Sequence, residues 1–457
     1  MVNKTGGSNP YSRDVKIKVK FPLSLQVKEN EFDKKDADLL QEELGDTVKV
    51  LGMARTGRGR PKEKNTVMFF PWQKVFNHRV FLKEDHWDQS QGNVPNRRSV
   101  GGVYGIGQPN EKGIERFFKD MDDSHRKVYW LNLRAEPTVF IKGESYTLRT
   151  RDEKFLQLEY QGASRKNIEL FERNIKREIL KKINHGKQLH ICYDNEDKAY
   201  GVAFKPGEVK PDEVKTISDI LKQYQDKYNL EYHRIPVSDR HFPTPRDIDK
   251  LVNVFNNCDT KDVCVVNCML GRGRTTHVMT LLNIMNHVKE NPQINFCRIP
   301  GMREHILEDG KGRFGRLRKV LSVARLAEKT SEIILGKEDA EDFQTIIDGQ
   351  YAGQCHLLEA MPIGYARDRK AAKQYLKGYL DLAMFYRYCR QEAGNHLKPP
   401  FSQWIKKYKQ PLKAATEILD RAFRAERWIK NLKSAPKQLK IPGFKKILPD
   451  SQRKGKR

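Results

Sequence analysis

The stretch Cys264-Val265-Val266-Asn267-Cys268-Met269-Leu270-Gly271-Arg272-Gly273-Arg274-Thr275-Thr276 decides the fold of this chain. Its first residues form an apolar, β-branched run, which predicts a buried strand. The apolar residues behind it recur at helical spacing, at Val278, Leu281, Leu282, Met285 and Val288. The stretch is therefore the loop of a strand–loop–helix unit. In such a unit the loop N–H groups and the helix N-terminus converge and form a cradle for an anion.

Within that loop, five residues separate Cys268 from Arg274. The positive field of the cradle favours the thiolate form of Cys268, which is the nucleophilic form of cysteine. A buried Arg274 requires an anionic partner, and its planar guanidinium fits two oxygens of a phosphate. Thr275 adds a hydroxyl next to the sulfur. This pattern indicates a cysteine-dependent phosphatase, in which Cys268, Arg274 and Thr275 are catalytic.

A general acid is expected upstream of the loop. The segment Tyr232 to Pro243 predicts a strand followed by a proline-stiffened loop that carries Asp239. Asp249 is the competing carboxylate, but it lies in a helix-like stretch and has the features of a solvated or capping residue. Position in a loop favours Asp239 as the acid, with His241 as the second candidate.

Several separated motifs resemble the family of paladin and the protein-tyrosine-phosphatase-like inositol phosphatases, which includes cysteine phytases. These motifs are Phe81–Trp87, Val94–Arg98, Val103–Asn110, Asn132–Pro137, Tyr146–Arg149, the loop around Asp239, Asn267–Thr276 and Phe401–Trp404. The resemblance implies an α/β fold with a protein-tyrosine-phosphatase-like central sheet flanked by helices, followed by a mainly helical C-terminal region. Asn267 departs from tyrosine phosphatases and phytases, which usually have histidine there, but is similar to paladin-like repeats. Arg240 stands where phytases tend to have histidine.

The expected reaction is hydrolysis of a phosphomonoester through a thiophosphate intermediate on Cys268. Arg272 adds a second cation to the loop, which favours inositol polyphosphates or phosphoinositides over a single phosphotyrosine. The alternatives are a protein tyrosine or dual-specificity phosphatase and a catalytically silent phosphate-binding module. No metal-ligand cluster stands out, so neither a metal nor another cofactor is expected. The expected substrate-binding residues are Met269, Leu270, Gly271, Arg272, Gly273, Arg240, His241, Arg134 and Lys311.

Charge is the other strong property of the chain. Its 457 residues include 86 Lys plus Arg against 59 Asp plus Glu, a formal net charge of +27. Such a field attracts polyanions, so the expected partner is a phosphorylated small molecule or lipid headgroup, with an anionic membrane surface as a further candidate. Nucleic acid is not expected, although Arg58-Gly59-Arg60-Pro61 resembles an AT-hook.

The seven cysteines lack C-x-x-C spacing, which favours a reducing compartment. No signal peptide or apolar run long enough to span a bilayer stands out, so a cytoplasmic protein is expected. Delivery into a host cell stays open, as does the oligomeric state. The expected organisation is a basic extension (1–78), a phosphatase domain (79–315), a helical C-terminal region (316–430) and a basic tail (431–457).

The pattern also predicts individual elements. Strands are expected at 102–107, 127–133, 189–193, 230–236 and 262–267. Helices are expected from a Ser164 cap to Gly186, from Pro211 to Tyr228 through Val214, Ile217, Leu221 and Tyr224, and over 245–257 and 368–390.

Overall fold

The computed structural model of this chain describes residues 51–56, 60–65, 80–85, 94–121, 127–150, 158, 164–192, 203–239, 241–259, 261–290, 330–349, 369–409 and 412–413. These residues belong to one compact unit that begins at Asp46. The first 50 residues and the basic tail from 431 lie outside the described residues, as do Arg240 and Lys311.

Strands and helices alternate over most of the described chain. The strands are β1 Leu51–Thr56, β2 Arg60–Asn65, β3 Val80–Glu84, β4 Arg98–Val100, β5 Val103–Ile106, β6 Val128–Arg134, β7 Thr138–Ile141, β8 Glu144–Thr150, β9 Leu189–Cys192, β10 Ala203–Phe204, β11 Val214–Thr216, β12 Leu230–Val237 and β13 Val263–Asn267. The helices are α1 Glu111–Lys119, α2 Arg165–Asn184, α3 Ile217–Lys222, α4 Pro245–Asn256, α5 Gly273–Glu290, α6 Lys337–Gly349, α7 Arg369–Glu392 and α8 Phe401–Trp404.

The central sheet has five strands in the order β12-β6-β13-β5-β4. The first four are parallel to their neighbours, and β4 pairs antiparallel at the edge. Every residue of β6 and β13 is buried, as expected for strands covered by helices on both faces. Five strands were predicted from the sequence: β5, β6, β12 and β13 of this sheet, and β9 of the second sheet. All five are confirmed within about one residue at each end.

A second sheet has six strands in the order β10-β9-β3-β8-β7-β11. Its neighbouring strands are antiparallel except for β3 and β9, which run parallel. The long helix α2 packs against this sheet through Ile168, Phe171, Ile175 and Ile179. Strands β1 and β2 form a separate antiparallel hairpin, within the segment for which the sequence predicted only an extension with a basic loop.

Side-chain caps define where the helices begin. The Ser164 hydroxyl accepts from the N–H of Asn167 at the start of α2, and Thr244 forms a capping box with Asp247 at the start of α4. These two helices confirm the sequence predictions, and α7 confirms the predicted long C-terminal helix. Its side chains Tyr379, Leu382, Tyr386 and Cys389 are fully buried, as predicted for core residues.

The predicted helix from Pro211 to Tyr228 is wrong at both ends, because the observed helix covers only Ile217–Lys222. Residues 211–213 form a 3-10 turn, and Val214 to Thr216 form β11, which pairs with β7. Thr216 then caps α3 in a capping box with Asp219, so the helix begins only at Ile217 and ends at Lys222. Pairing with the second sheet outweighs the helical spacing of the apolar residues.

The C-terminal helices share the main core with the central sheet. Side chains of α6, α7 and α8 pack in one cluster with those of α4, α5 and β13. The opposite face of the sheet is covered by α1 and α3, through Phe117, Phe118, Ile217 and Leu221. In the part of the chain that the structure describes, every helix is too short or too polar to traverse a lipid bilayer.

Candidate active site

Cys268 lies directly after β13, at the carboxyl end of a central parallel strand. Its side chain is buried, and α5 begins five residues later at Gly273. The N–H of Thr276 donates to the Arg272 carbonyl at 2.8 Å, which is the first hydrogen bond of that helix. The N–H groups of the first turn therefore lie beside the loop formed by residues 268–272, the Cys268 loop, without acceptors inside the helix.

The Cys268 loop turns three successive carbonyls outward. Each accepts one hydrogen bond from the segment 96–108: Met269 from the Gln108 N–H at 2.8 Å, Leu270 from Asn96 Nδ2 at 2.7 Å, and Gly271 from Arg98 Nη1 at 2.7 Å. In a planar trans peptide the N–H points away from the carbonyl. The amides of Leu270, Gly271 and Arg272 thus face the other way, and together with the helix start they can surround an anion.

Gly271 is required by the shape of this loop. Its φ is +68°, and a Cβ added there would lie 2.5 Å from the Ile106 carbonyl carbon and 2.8 Å from its oxygen. Among the described residues, nothing lies within 4 Å of a Cβ added at Gly273. The two glycines therefore differ: Gly271 lets the loop pass close to β5, whereas Gly273 leaves open space at the helix start.

Arg274 is buried at the second residue of α5, within the first turn of the helix. Its two terminal nitrogens donate to the two carboxylate oxygens of Glu136, at 3.0 and 2.8 Å, and Nη1 also donates to the Val237 carbonyl at 2.8 Å. Burial alone would lower the pKa of Arg274, but the charges of Glu136, Asp239 and Cys268 raise it well above its ordinary value. The guanidinium is held in one orientation and stays charged.

Glu136 belongs to a buried chain of alternating charges. Arg134 Nη1 donates to Asp85 at 2.7 Å, and its Nε lies 3.7 Å from Glu136. Burial would raise the pKa of Glu136, yet Arg274 and Arg134 lower it from 4.5 to about 2. A second pair, Arg234 and Glu172 at 2.7 Å, lies alongside, and Arg234 Nη2 donates to the Glu136 carbonyl. Glu136 is therefore ionised, which keeps both neighbouring arginines in place.

Arg134 does not reach the surface of the Cys268 loop. Its side chain is fully buried, and its contacts are with Asp85 and Glu136. Arg134 therefore holds a supporting position next to Glu136, and its expected contact with substrate stays a prediction.

Asp239 lies in the loop between β12 and α4, with its side chain 56% exposed and one carboxylate oxygen 3.5 Å from Arg274 Nη2. The structure thus brings Asp239 and Arg274 together. His241 is also exposed, and its Nδ1 lies 2.9 Å from the Asp239 carbonyl oxygen. The competing Asp249 lies on α4, where it accepts from the Ser402 N–H at the start of α8. Asp249 therefore has a capping role.

Thr275 is fully buried, and its hydroxyl lies 3.5 Å from the Ile106 carbonyl oxygen. Arg272 is partly buried where the Cys268 loop meets α5, and Leu270 is exposed at its outer edge. Asn267, directly before Cys268, accepts from Trp130 Nε1 at 2.9 Å and donates to Gln108 Oε1 at 3.4 Å. Asn267 thus links the base of the loop to β6 and to the segment before α1.

The residues that support the Cys268 loop were not predicted from the sequence. Glu136, Asn96, Arg98 and Gln108 lie within motifs that matched the family, but their spacing carries no chemical pattern of its own. The available signal for Glu136 in the sequence was its position, as an acidic residue close behind the predicted strand 127–133. Among the described residues, no three His, Cys, Asp or Glu side chains lie close enough to hold a metal ion.

The central sheet and the Cys268 loop define an α/β protein in which the loop after a central parallel strand carries Cys268 and leads into the helix of Arg274. Residues 131–286 match the family model of PTP-like phytases, whose description is "Inositol hexakisphosphate". This segment runs from β6 to α5 and includes Glu136, Asp239 and the Cys268 loop.

The chain is also similar to paladins. Paladin of Gallus gallus is 24% identical over 341 residues, which are 70% of this chain and 37% of paladin. Human paladin is 25% identical over 327 residues, covering 66% of this chain and 34% of paladin. A solved structure, the tandemly repeated protein tyrosine phosphatase like phytase from Mitsuokella multacida, is 20% identical with a TM-score of 0.47, covering 73% of this chain and 48% of the other. The chain therefore spans less than half the length of these relatives.

Proposed function

We propose that this chain is a cysteine-dependent phosphatase that hydrolyses phosphomonoesters of inositol polyphosphates or phosphoinositides. The observation that carries the proposal is the Cys268 loop, whose three outward carbonyls leave the amides facing the opposite side, with Cys268 buried at its start. A loop of this shape binds the equatorial oxygens of a phosphoryl group through backbone N–H groups. Arg274, already held by Glu136, supplies the matching charge.

In the first half of the proposed reaction, the Cys268 thiolate attacks phosphorus in line with the ester bond. A P–S bond forms as the P–O bond to the alcohol breaks. Asp239 donates its proton to the departing oxygen, which leaves as the alcohol. The position of Asp239, 3.5 Å from Arg274, is compatible with this task because Arg274 lies beside the bound phosphoryl group in the proposal.

In the second half, the ionised Asp239 takes a proton from water as the water oxygen attacks phosphorus. The P–S bond breaks, inorganic phosphate leaves, and the thiolate of Cys268 is restored. Neither half consumes an oxidant or a reductant, and each proton is accounted for by Asp239.

The substrate class rests on charge and on the family match. Arg272 adds a second cation at the loop, and the whole chain carries a formal net charge of +27. A ligand with several phosphates gains a charge-assisted contact for each additional cation. The family description of the segment 131–286 names inositol hexakisphosphate. Arg240 and Lys311 stay proposed contacts of the further phosphates, and the basic segments stay a proposed contact with anionic membranes.

The test is phosphate release from inositol hexakisphosphate, in the presence of a chelator, by the full chain and by Cys268→Ser. Cys258→Ser is the matched control, because its thiol donates to the Val254 carbonyl and a serine hydroxyl can do the same. We expect Cys268→Ser to lose all measurable turnover while the control keeps it, since serine does not ionise at neutral pH. Equal rates for Cys268→Ser and the full chain would end the enzyme proposal.

A catalytically silent phosphate-binding module is the second candidate. The observation in its favour is Asn267, a neutral residue tied to Trp130 and Gln108 where a histidine would add positive charge next to Cys268. This candidate predicts that calorimetry detects binding of inositol hexakisphosphate while no phosphate is released by any variant.

A further inference from the structure

Phe242 connects the Asp239 loop, residues 238–243, to the helices behind it. Its ring packs on the ring of His277 in α5, with a centroid distance of 4.4 Å, and it contacts the main core. Two of the polar contacts of His241 remain within the loop, from its N–H to the Ser238 carbonyl and from its ring to the Asp239 carbonyl. The aromatic side chain therefore provides a contact between this loop and the core.

The ring of Phe242 also lies against Gly378, which is buried within α7. A glycine inside a long helix destabilises it relative to alanine, so its presence calls for a packing reason. A Cβ added at Gly378 would come within 2.9 Å of three ring atoms of Phe242, Cε2, Cδ2 and Cζ. Glycine thus provides the space that the aromatic ring occupies.

His277 completes the contact. It lies three residues after Arg274 on α5, so both side chains project from the same side of that helix. The imidazole is fully buried, and its two nitrogens have no hydrogen-bond partner among the described residues. Burial, with a contribution from Lys377, lowers the pKa of His277 to about 3. His277 is therefore a neutral packing surface beside the helix that carries Arg274.

The ion pair between Asp239 and Arg274 is a weak restraint on the loop. Its separation is 3.5 Å, and the carboxylate is more than half exposed, so solvent screens the attraction. A general acid must nevertheless stay within reach of the leaving oxygen. A contact between the loop and the core adds a restraint that does not depend on this exposed pair.

We propose that Phe242, seated between His277 and Gly378, is a positioning residue that holds Asp239 beside Arg274. This inference rests on the proposed function, because Asp239 is the acid only if the chain is a phosphatase. It extends the proposed site to α7, which lies outside the segment 131–286 that matches the phytase family. The C-terminal helix then takes part in catalysis without contacting substrate.

The test compares Gly378→Ala with Gly394→Ala in the full chain. Gly394 lies in the 3-10 turn after α7, where nothing among the described residues lies within 4 Å of an added Cβ. Each protein is assayed on inositol hexakisphosphate, whose alcohol needs a proton to leave, and on nitrophenyl phosphate, whose phenolate leaves without help. We expect Gly378→Ala to lose about tenfold or more in kcat on the first substrate, with a smaller loss on the second and little change in KM. Gly394→Ala should resemble the unmodified chain on both.

A second substitution separates positioning from general loss of structure. In the double variant Phe242→Leu, Gly378→Ala, the smaller side chain leaves space for the new methyl group. We expect it to recover part of the activity on inositol hexakisphosphate relative to Gly378→Ala alone. A merely structural role would reduce both substrates by the same factor in Gly378→Ala.

Hydrogen exchange of the amides in residues 238–243 provides a readout without turnover. We expect faster exchange in Gly378→Ala than in Gly394→Ala. If the unmodified chain releases no phosphate from either substrate, the proposed function fails, and this result is distinct from failure of the positioning role. If the unmodified chain is active, equal losses on both substrates overturn the positioning role. Unchanged exchange in Gly378→Ala overturns it whether or not the chain is active.

Discussion

At the scale of single residues, the candidate site depends on the buried charge of Glu136. Glu136 is buried between Arg274 and Arg134, and its two oxygens fix both terminal nitrogens of Arg274. Without this carboxylate the two guanidiniums would be buried next to each other with one fewer counter-charge. The order of charges from Asp85 through Arg134 and Glu136 to Arg274 therefore determines where the Arg274 guanidinium points.

Glu136→Gln tests this arrangement through stability. Removing one partner of a buried ion pair costs about 3–5 kcal/mol, so we expect a loss of that size in the free energy of unfolding at pH 7. The pKa of Glu136 is about 2 in the folded chain against an ordinary 4.5. Its carboxylate therefore stabilises the fold above pH 4.5 and loses that effect as the pH falls towards 2. Urea unfolding should show a smaller difference from the unmodified chain at pH 3.5 than at pH 7.

The control for that experiment is Glu231→Gln. Glu231 pairs with Lys127 at 2.7 Å, but its side chain is 44% exposed. Exposed pairs contribute about 0–1 kcal/mol, so the control should change stability little. A loss as large as that of Glu136→Gln would contradict the importance of burial.

Asp239→Asn tests the general acid, again at the scale of one residue. We expect turnover of inositol hexakisphosphate to fall by about 10²-fold or more, because an amide is not acidic enough to protonate the leaving oxygen. Nitrophenyl phosphate should be affected less, since its leaving group needs no proton. The control is Asp249→Asn, in which the amide oxygen can still accept from the Ser402 N–H. Equal losses on both substrates, or a larger loss in His241→Ala, would assign the acid to another residue.

At the scale of elements, the sequence predicted the strands and helices that depend on contacts between residues close together in the chain. The buried run of β13, the Ser164 cap of α2 and the helix α4 depend on contacts over a few residues, and the structure confirms these three predictions. The start of α3 was misplaced because β11 pairs with β7, more than 70 residues earlier. The supports of the Cys268 loop were missed for the same reason, since Asn96 and Arg98 reach it from more than 170 residues away.

The Cys268 loop itself is an element whose shape Gly271→Ala tests. The added Cβ would lie 2.5 Å from the Ile106 carbonyl carbon, at a φ of +68° that disfavours alanine. We expect the free energy of unfolding to fall by about 1–3 kcal/mol or more, measured by urea denaturation. In Gly273→Ala the new methyl meets open space among the described residues, and alanine favours the helix, so stability should be unchanged or higher. Similar losses in both variants would show that loop shape is not what requires Gly271.

At the scale of the whole molecule, the helical C-terminal region and the central sheet share one core. Side chains of α7, such as Tyr379 and Leu382, pack in the same cluster as Val266 and Cys268. The domain boundaries expected from the sequence, at residues 78, 315 and 430, stay predictions. The shared core places α7 against the elements that carry the candidate site, and the contact of Gly378 with the Phe242 ring is the physical basis for the proposed role of Phe242.

The formal net charge of +27 leads to the last prediction, which concerns substrate choice. A field of this sign concentrates polyanions at low salt and is screened over about 10 Å at 0.1 M ionic strength. If Arg272 contacts a second phosphate, inositol hexakisphosphate and phosphoinositides should be preferred over a phosphotyrosine peptide, and kcat/KM for them should fall steeply as salt is raised. Arg272→Ala should reduce both the preference and the salt dependence, while Lys250→Ala, which removes an exposed cation paired with Asp247 on α4, should change neither. Efficient turnover of the peptide with little salt dependence would instead identify a protein phosphatase, because a single phosphate engages the Cys268 loop and Arg274 without requiring a second cation.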